Sequence, residues 1–485
     1  MAIDTSEQYT PGWWLDRLYQ KLKGTRSAHQ KLMDRYEGKG PSPALSSSLP
    51  KAAETFYRKT RLNMAELVVG SMLERMRVRA IRTSVSSEAS DEAAWTMYRA
   101  NDLDVSFPDA LEHALVMGVS YLITGIRPGT PVDRDLTVDD IRLTWEDPRQ
   151  MVSIQHAEDQ SVVRAAARFL HDSEAGLDVA YLWIAGRLWR ATAPRTTNRK
   201  MVYFNPSEWE WDDPDGLALP GDVRVPVVRL RNRRGVGEFE RHTDLLDRID
   251  HMILQRMVIA TMQAFRQRAI KGDLPETYPD NHPQAGQKID YDELFESDPG
   301  AMWLLPASTE IWESGQVDLS GILNAVKDDV RNLAAVTRRP LNVLSPEGAN
   351  QSAEGAALTR EGLTFATEDR EMRFGRDLAR AIAYGFRMMG DEQRGDLTNL
   401  SVEWMPVERW PLTTKASSAQ QAKAAGMSKR WILENCWQAT PEQIQREMSA
   451  ALDDFMMGVD PNAAAALAAS APAPVPTPAG DPAPQ

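Results

Sequence analysis

Apolar residues recur at spacings of three and four between Thr60 and Arg77 (Leu62, Met64, Leu67, Val68, Met72, Leu73, Met76), which predicts a helix packed along one side. Two further helices are expected over about 89–100 and 107–117. After Gly118 the pattern changes to short β-rich segments. Strands are predicted at Tyr121 to Ile126, Ile141 to Trp145, Val152 to His156, Val162 to Phe169, Val179 to Ile184, Leu188 to Ala191 and Val223 to Leu230, separated by Gly, Pro, Asp and Asn. Residues 59–235 are therefore expected to form an α+β body. Before it, helical patterns at Trp13 to Leu22 and Gln30 to Glu37 stop at Gly38-Lys-Gly-Pro-Ser-Pro43, so residues 1–58 are expected as a peripheral arm.

Beyond the body the pattern becomes predominantly helical. Residues 236–271 contain no proline and a single glycine, Gly237, which predicts a rod of roughly 50 Å at ~1.5 Å per residue. Acids at Glu238, Glu240, Asp244, Asp247 and Asp250 occupy its first half, and Arg256, Arg266, Arg268 and Lys271 its second, an order that suits the helix dipole. Its apolar positions wrap around more than one face, so more than one neighbour must cover it. Residues 272–317 are rich in Pro, Gly and Asp and are expected to project as a small lobe, with strands at Ala301 to Leu305 and Glu310 to Trp312. A second long helix over 318–339 has Asp318 or Ser320 as cap candidates and stops at Arg338-Arg339-Pro340. A polar loop, 340–351, leads to a third long helix within 352–396, which contains Gly355, Gly362, Gly375 and Gly385. Residues 397–455 offer one strand, Leu400 to Trp404, and helices near 414–425, 428–434 and 441–454; the Ala- and Pro-rich segment 456–485 is expected to be disordered.

Composition sharpens this outline. The chain has 485 residues, enough for about three ordinary cores, and a formal charge of −13 from 56 basic and 69 acidic residues. A general DNA-coating surface is disfavoured by that balance, so any nucleic acid must be handled locally. A lone cysteine, Cys436, excludes an internal disulfide and Cys-cluster metal sites, and it reads as a small buried hydrophobe. The N-terminus lacks a basic-then-apolar signal pattern and no apolar run reaches the ~18–20 residues of a membrane span, so a soluble product made or assembled inside a cell is expected.

Catalytic constellations are absent from the sequence. There is no phosphate-loop motif, no Gly-x-Ser-x-Gly elbow and no His-Glu-x-x-His, and no two of the seven histidines lie at i, i+4. No catalytic, metal or cofactor residues are assigned, and no enzymatic activity is expected. The acidic pairs Asp139-Asp140, Asp212-Asp213, Asp328-Asp329 and Asp453-Asp454 are candidates for divalent-cation binding, but adjacent helical residues diverge by ~100°, so solvated faces are the better reading. Trp209 and Trp211 would suit base stacking or core packing, and packing is favoured. One local basic feature stands out: Arg338-Arg339, where a helix end meets a flexible loop. It suits a phosphate backbone as well as it suits the helix dipole.

The order of parts resembles the portal proteins of tailed bacteriophages with long non-contractile tails, in particular those of actinobacterial phages. The cues are Leu32-Met-Asp-Arg-Tyr36-Glu-Gly38, Arg61-Leu-Asn63-Met with Val68-Val69, and above all Val225-Pro226-Val-Val-Arg-Leu-Arg-Asn232-Arg-Arg-Gly235-Val-Gly-Glu238 running into Asp247-Arg-Ile-Asp250. The resemblance covers about 12–455. It implies a portal fold with wing, stem, clip and crown regions assembled in a ring of twelve subunits at one capsid vertex, which docks the terminase motor and later the head-tail connector for genome retention and ejection. By similarity, 59–235 with part of 352–396 is the wing, 236–271 and 318–339 are the stem, 272–317 is the clip, and 397–455 is the crown. The loop 340–351 resembles the tunnel loop that faces DNA, which implies DNA-facing roles for Arg338, Arg339, Asn342, Ser345, Asn350 and Gln351. Clip residues Tyr278, Asp280, His282, Tyr291 and Glu293 are implied to face the large terminase subunit or the head-tail adaptor. Other implied partners are the major capsid and scaffolding proteins and double-stranded DNA, with no membrane and no cofactor; the implied location is the virion, after assembly in the bacterial cytoplasm.

A ring accounts for helices too apolar all round for a lone subunit. Twelve copies of a −13 chain also sum to about −156, so a channel wall would let DNA slide, with contact confined to loops. Competing readings are a metal-dependent enzyme acting on nucleic acid and another minor capsid or head-completion protein.

Overall fold

The computed structural model describes residues 2–40, 59–86, 90–131, 134–195, 201–264, 268–272, 274–278, 280–291, 310–313, 318–345 and 353–457. Helix α1 (Pro11–Tyr36) starts where the Thr10 hydroxyl accepts from the Trp13 amide and Pro11 fills the first turn. It is followed by α2 (Met64–Leu73), β1 (Val78–Arg82), α3 (Glu92–Ala100), capped by the Asp91 carboxylate, and α4 (Leu103–Met117), which ends at Gly118 with φ 80°. Strands follow: β2 (Val119–Ile126), β3 (Ile141–Glu146), β4 (Met151–Gln155), β5 (Val163–Asp172), β6 (Leu177–Ile184), β7 (Arg187–Pro194), β8 (Glu210–Trp211), β9 (Leu217–Ala218) and β10 (Val227–Arg231).

These strands form two antiparallel layers. One is the meander β4-β5-β6-β7-β8, with β9 also pairing β7; the other is β10-β2-β3. In β5, Ala165 and Ala167 face Leu15, Leu18, Leu22 and Phe169 in one core, while Ala166 faces Tyr121, Trp183, Val225 and Val227 in another. Alternate residues of a strand point to opposite faces, so three consecutive alanines let layers approach closely from both sides. Trp209 is buried, and its indole N–H donates to the Tyr203 carbonyl; this is the packing role favoured above.

Residues 11–36, expected within a peripheral arm, are instead one unbroken helix that closes the face of the meander. The sequence signal fails there because the middle of α1 is polar. Its polar side chains reach the sheet: Lys21 Nζ donates to the Ser153 carbonyl at 2.8 Å and Arg26 Nε to the Arg149 carbonyl at 2.8 Å.

The next elements are α5 (Thr243–Ala264), β11 (Arg268–Lys271), β12 (Glu310–Glu313), α6 (Ser320–Thr337), the short α7 (Leu341–Leu344) and α8 (Ala353–Met388). The rod expected over 236–271 is thus shorter at both ends. At its start, 233–235 and 240–242 are 3-10 turns, and at its end 268–271 pairs antiparallel with 310–313. Twenty-two residues give a helix of about 33 Å. Leu246, Ile249 and Ile253 of α5 share the main core with Val326, Val330 and Leu333 of α6, and Arg248 clasps Asp329 through two bonds of 2.6 and 2.9 Å. Helix α8 runs 36 residues, its glycines notwithstanding. Gly375 lies where a Cβ would stand 2.8 Å from the Trp404 indole nitrogen, and Gly385 where it would meet the Met97 sulfur, so these glycines serve close packing.

Strand β13 (Ser401–Trp404) pairs antiparallel with β1, and α9 (Leu412–Ala424), α10 (Lys429–Asn435) and α11 (Pro441–Met456) follow. Cys436 is buried. The strand expected at Ala301 to Leu305 and the tail from residue 458 lie outside the described residues. No described helix is long and apolar enough to cross a membrane.

Candidate functional site at the helix junction

The two long antiparallel helices α5 and α6 and the third, α8, meet the body at one point, and the turn after β10 builds it. Asn232 is buried; its side-chain oxygen accepts from the Arg233 amide, and its Nδ2 donates to the Val236 carbonyl at 2.8 Å and to Glu238 Oε1 at 3.0 Å. Gly237 touches α4 so closely that a Cβ would stand 2.1 Å from the Val116 carbonyl oxygen, and the Glu238 amide donates to the Leu115 carbonyl at 2.8 Å. Glu240 Oε2 accepts from the Gly237 amide, which delays α5 until Thr243.

Glu238 is the centre of the junction. Its carboxylate accepts from Arg339 at 3.2 Å and from Arg370 of α8 at 3.0 Å, in addition to Asn232. Arg339 also donates to the Val68 carbonyl of α2 at 2.8 Å and the Thr337 carbonyl at 2.9 Å. Side-chain exposures of 1% for Arg339, 7% for Glu238 and 11% for Arg370 make this an interior ion cluster. Burial draws the Arg339 guanidinium down and Glu238 pushes it back up. A DNA-facing role for Arg339 is therefore corrected: its guanidinium is spent inside the subunit, tying the end of α6 to α2 and to the start of the α5 segment.

Its neighbour does the opposite. Arg338 ends α6 in the left-handed region at φ 56° and is exposed, and Arg234 across the way has φ 62°. A non-glycine residue in that region carries roughly 1 kcal/mol or more of strain. Both line a cavity of about 290 Å³ together with Arg233, Arg241, Val336 and Ala366. The side chains of Arg234, Arg241 and Arg338 make no hydrogen bond or ion pair among the described residues. His242, at the rim, is held below its ordinary pKa by burial and by Arg241. The surface of the junction is thus cationic in a chain of net −13 and suits an anionic group.

Of the other expected tunnel-loop residues, Asn342 is exposed on α7 and Ser345 is half-buried just after it, so both lie within a few residues of Arg338. Asn350 and Gln351 lie outside the described residues. In the lobe after β11, Tyr278 stacks on His282 with ring centroids 4.3 Å apart, Tyr291 donates its hydroxyl to the Pro275 carbonyl at 2.6 Å, and Asp280 is exposed. Glu293 lies outside the described residues.

Three of the four acidic pairs considered for metal binding are engaged in ion pairs. Asp140 binds Arg134, Asp212 binds Arg190, Asp328 binds Arg331 and Asp329 binds Arg248. Among the described residues no group of three or more His, Cys, Asp or Glu gathers around one point. Glu238 was missed as the organiser of the site; the signal for it is a carboxylate directly after an Asn-x-x-Gly-x-Gly turn that leads into a long helix.

Known proteins match over most of this length. A family model described as phage portal protein, SPP1 Gp6-like, matches residues 15–453. The portal protein of Mycobacterium phage D29 is 26% identical over 409 residues, covering 81% of this chain and 78% of that protein. The portal protein of Mycobacterium phage L5 is 25% identical over 409 residues, with the same coverage. Among solved structures, a chain in the neck of a native GTA particle computed with C12 symmetry has a TM-score of 0.42 at 12% identity, covering 81% of this chain and 96% of that one. A chain in the neck of an empty GTA particle computed with C6 symmetry gives 0.42 at 13% identity, with coverage of 79% and 93%.

Proposed function

This chain belongs to the SPP1 Gp6-like family of phage portal proteins, and we propose that twelve copies close into a ring around the path of the genome, with α5 and α6 as the stem and the junction at its upper end. The portal role at the capsid vertex follows from the family. The finer reading assigns 272–317 to the clip that docks the large terminase subunit and then the head-tail adaptor, and 397–455 to the crown. Major capsid and scaffolding proteins would meet the outside of the same ring, in the virion. Arg338, Asn342 and Ser345 would face double-stranded DNA, with Asn350 and Gln351 continuing that loop. Tyr278, Asp280, His282, Tyr291 and Glu293 would face the docking partners.

One observation carries this reading. The Glu238 cluster fixes where the α5 segment leaves the body and where α6 returns, and holds both to the middle of α8 through Arg370, so that one buried carboxylate ties the proposed stem, loop and wing helix together. Support for the ring comes from apolar side chains left open on these helices: Leu323 and Val336 on α6, and Phe365 and Met372 on α8, at 59% and 77% exposure for the last two. The metal-dependent enzyme has no observation in its favour.

The test images the purified full chain by electron microscopy and weighs it by mass photometry. Closed rings are expected; a monomer at every salt concentration refutes the reading. For the loop, Arg338→Ala with Asn342→Ala is expected to leave rings intact and to reduce DNA packaged per particle in a phage complementation assay. Unchanged packaging refutes the DNA-facing assignment.

A further inference from the structure

A second arginine-lined recess lies beside the junction, and the DNA reading does not use it. It encloses about 390 Å³ and is lined by six arginines from two elements and the turn that follows the first: Arg229 and Arg231 of β10, Arg234 after it, and Arg373, Arg376 and Arg380 of α8. Its only carboxylate is Asp377. The far wall is neutral, formed by Gln155, Gln160 and Ser161 between β4 and β5.

Internal partners account for half of these cations. Arg373 pairs with Asp369, Arg380 with Asp377, and Arg376 donates to the Leu397 carbonyl at 2.7 Å. The side chains of Arg229, Arg231 and Arg234 make no hydrogen bond or ion pair among the described residues; Asp377 accepts from the Arg231 backbone amide and acts on Arg229 through space. Arg231 and Arg234 are exposed, whereas Arg229 is half-buried, and desolvation together with Arg231 weakens its hold on its proton. Like charges gathered around a recess repel, and the repulsion is relieved when an occupant brings carboxylates or other anions.

We propose that this recess receives the acidic face of the adjacent subunit in the ring, its arginines pairing with carboxylates of a second copy of this chain. The proposal rests on the ring reading above and names the contact that closes it. Charge complementarity selects the occupant. The whole chain carries −13, so the surface outside this basic recess is more acidic still, and a second copy presents that surface in abundance. A head-to-tail ring requires two unlike faces on each subunit, one matching the other, and a concentrated arginine face on an acidic protein is one such face. Every cation lining the recess is arginine, the side chain whose planar fork holds a carboxylate through two bonds. A recess of this volume admits side chains and not a duplex.

The test uses the full chain with Arg231→Glu, with Arg231→Glu/Arg373→Glu, and with the milder Arg231→Gln. Mass photometry gives the subunit concentration at half assembly in about 0.1 M salt, and the melting of the dissociated subunit is followed by circular dichroism. Charge reversal is expected to raise the half-assembly concentration at least tenfold, Arg231→Gln to raise it less, and high salt to raise it for the wild type. Unchanged half-assembly in the charge-reversed proteins overturns the proposal, whether or not melting moves. Fluorescence anisotropy with a short DNA duplex runs alongside: variants that assemble normally but lose duplex binding would assign the recess to nucleic acid and overturn the proposal too. A wild type that never forms rings would instead sink the ring reading itself.

Discussion

Replacing Glu238 with alanine tests whether the buried cluster holds the long helices to the body. The change strands Arg339, whose side chain is 1% exposed, with only the Val68 and Thr337 carbonyls as acceptors, and it deprives Arg370 and Asn232 of a shared partner. Removing one member of a buried ion pair costs about 3–5 kcal/mol, because the remaining charge stays desolvated without compensation. Arg370→Ala is expected to cost less, about 1–2 kcal/mol, since Glu238 keeps Arg339 and Asn232. The Glu238→Ala/Arg339→Ala double variant removes both charges and is expected to cost at least ~1.5 kcal/mol less than the sum of the Glu238→Ala and Arg339→Ala single changes. Urea unfolding of the dissociated subunit, followed by tryptophan fluorescence, measures all five proteins, the wild type and the Arg339→Ala single variant included. Repeating the series at high salt separates this cluster from a surface pair, because a buried pair is screened little. A Glu238→Ala loss below about 0.5 kcal/mol, or strict additivity in the double variant, would place the interaction in the class of exposed ion pairs and refute the reasoning.

Two glycines give a matched pair of outcomes. Gly237→Ala puts a methyl 2.1 Å from the Val116 carbonyl oxygen and is expected to destabilise by about 3 kcal/mol or more, whereas Gly24→Ala, with nothing within 4 Å of its Cβ position, is expected to stabilise α1 by about 0.5–1 kcal/mol; urea midpoints of the two variants check both. Glu371 of α8 supplies a pH dependence. Burial, reinforced by Glu368, pushes its carboxyl up to about 8, so the folded state keeps a proton that the unfolded state releases near its ordinary value of 4.5. Between those values the unfolded state binds fewer protons, and stability falls as pH rises, by at most about 1.4 kcal/mol per unit from this group. Melting temperatures at pH 5.5 and 8 are expected to differ by less in Glu371→Gln than in the wild type, and an identical difference refutes the assignment.

Much of the architecture is legible in the sequence, because periodicity reports one-sided burial. The β-rich run from Val162 to Phe169 and the three-four spacing from Met64 to Met76 lead directly to β5 and α2. Where polar side chains make tertiary hydrogen bonds, periodicity is silent. Lys21 binds a carbonyl of β4 and Arg26 one of the turn before it, so α1 reads as two fragments of an arm and not as a face of the body. The start of α5 is hidden for a different reason: glycine propensity cannot reveal that Gly237 presses on Val116. Arg338 and Arg339 are adjacent and chemically alike, yet one is exposed and the other fully enclosed. That separation depends on the left-handed turn at Arg338, which composition does not encode. The recess of arginines was partly readable, since Arg373, Arg376 and Arg380 share one face of a helix, but their convergence with Arg229 and Arg231 is a product of the β10 and α8 packing.

The pairing of β1 with β13 binds residues 78–82 to residues 401–404, across more than three hundred positions of sequence. On the ribosome the first strand therefore emerges long before its partner exists, and it waits while α5, α6 and the whole of α8 are translated. Closing so long a loop is entropically costly and slow compared with local contacts. The strand pair also makes completion of the early part of the chain conditional on the late part, so a product terminated before residue 401 leaves β1 with an unpaired edge. Only a chain synthesised through residue 404 gives β1 its partner, which ties completion of the early part of the fold to the order of translation.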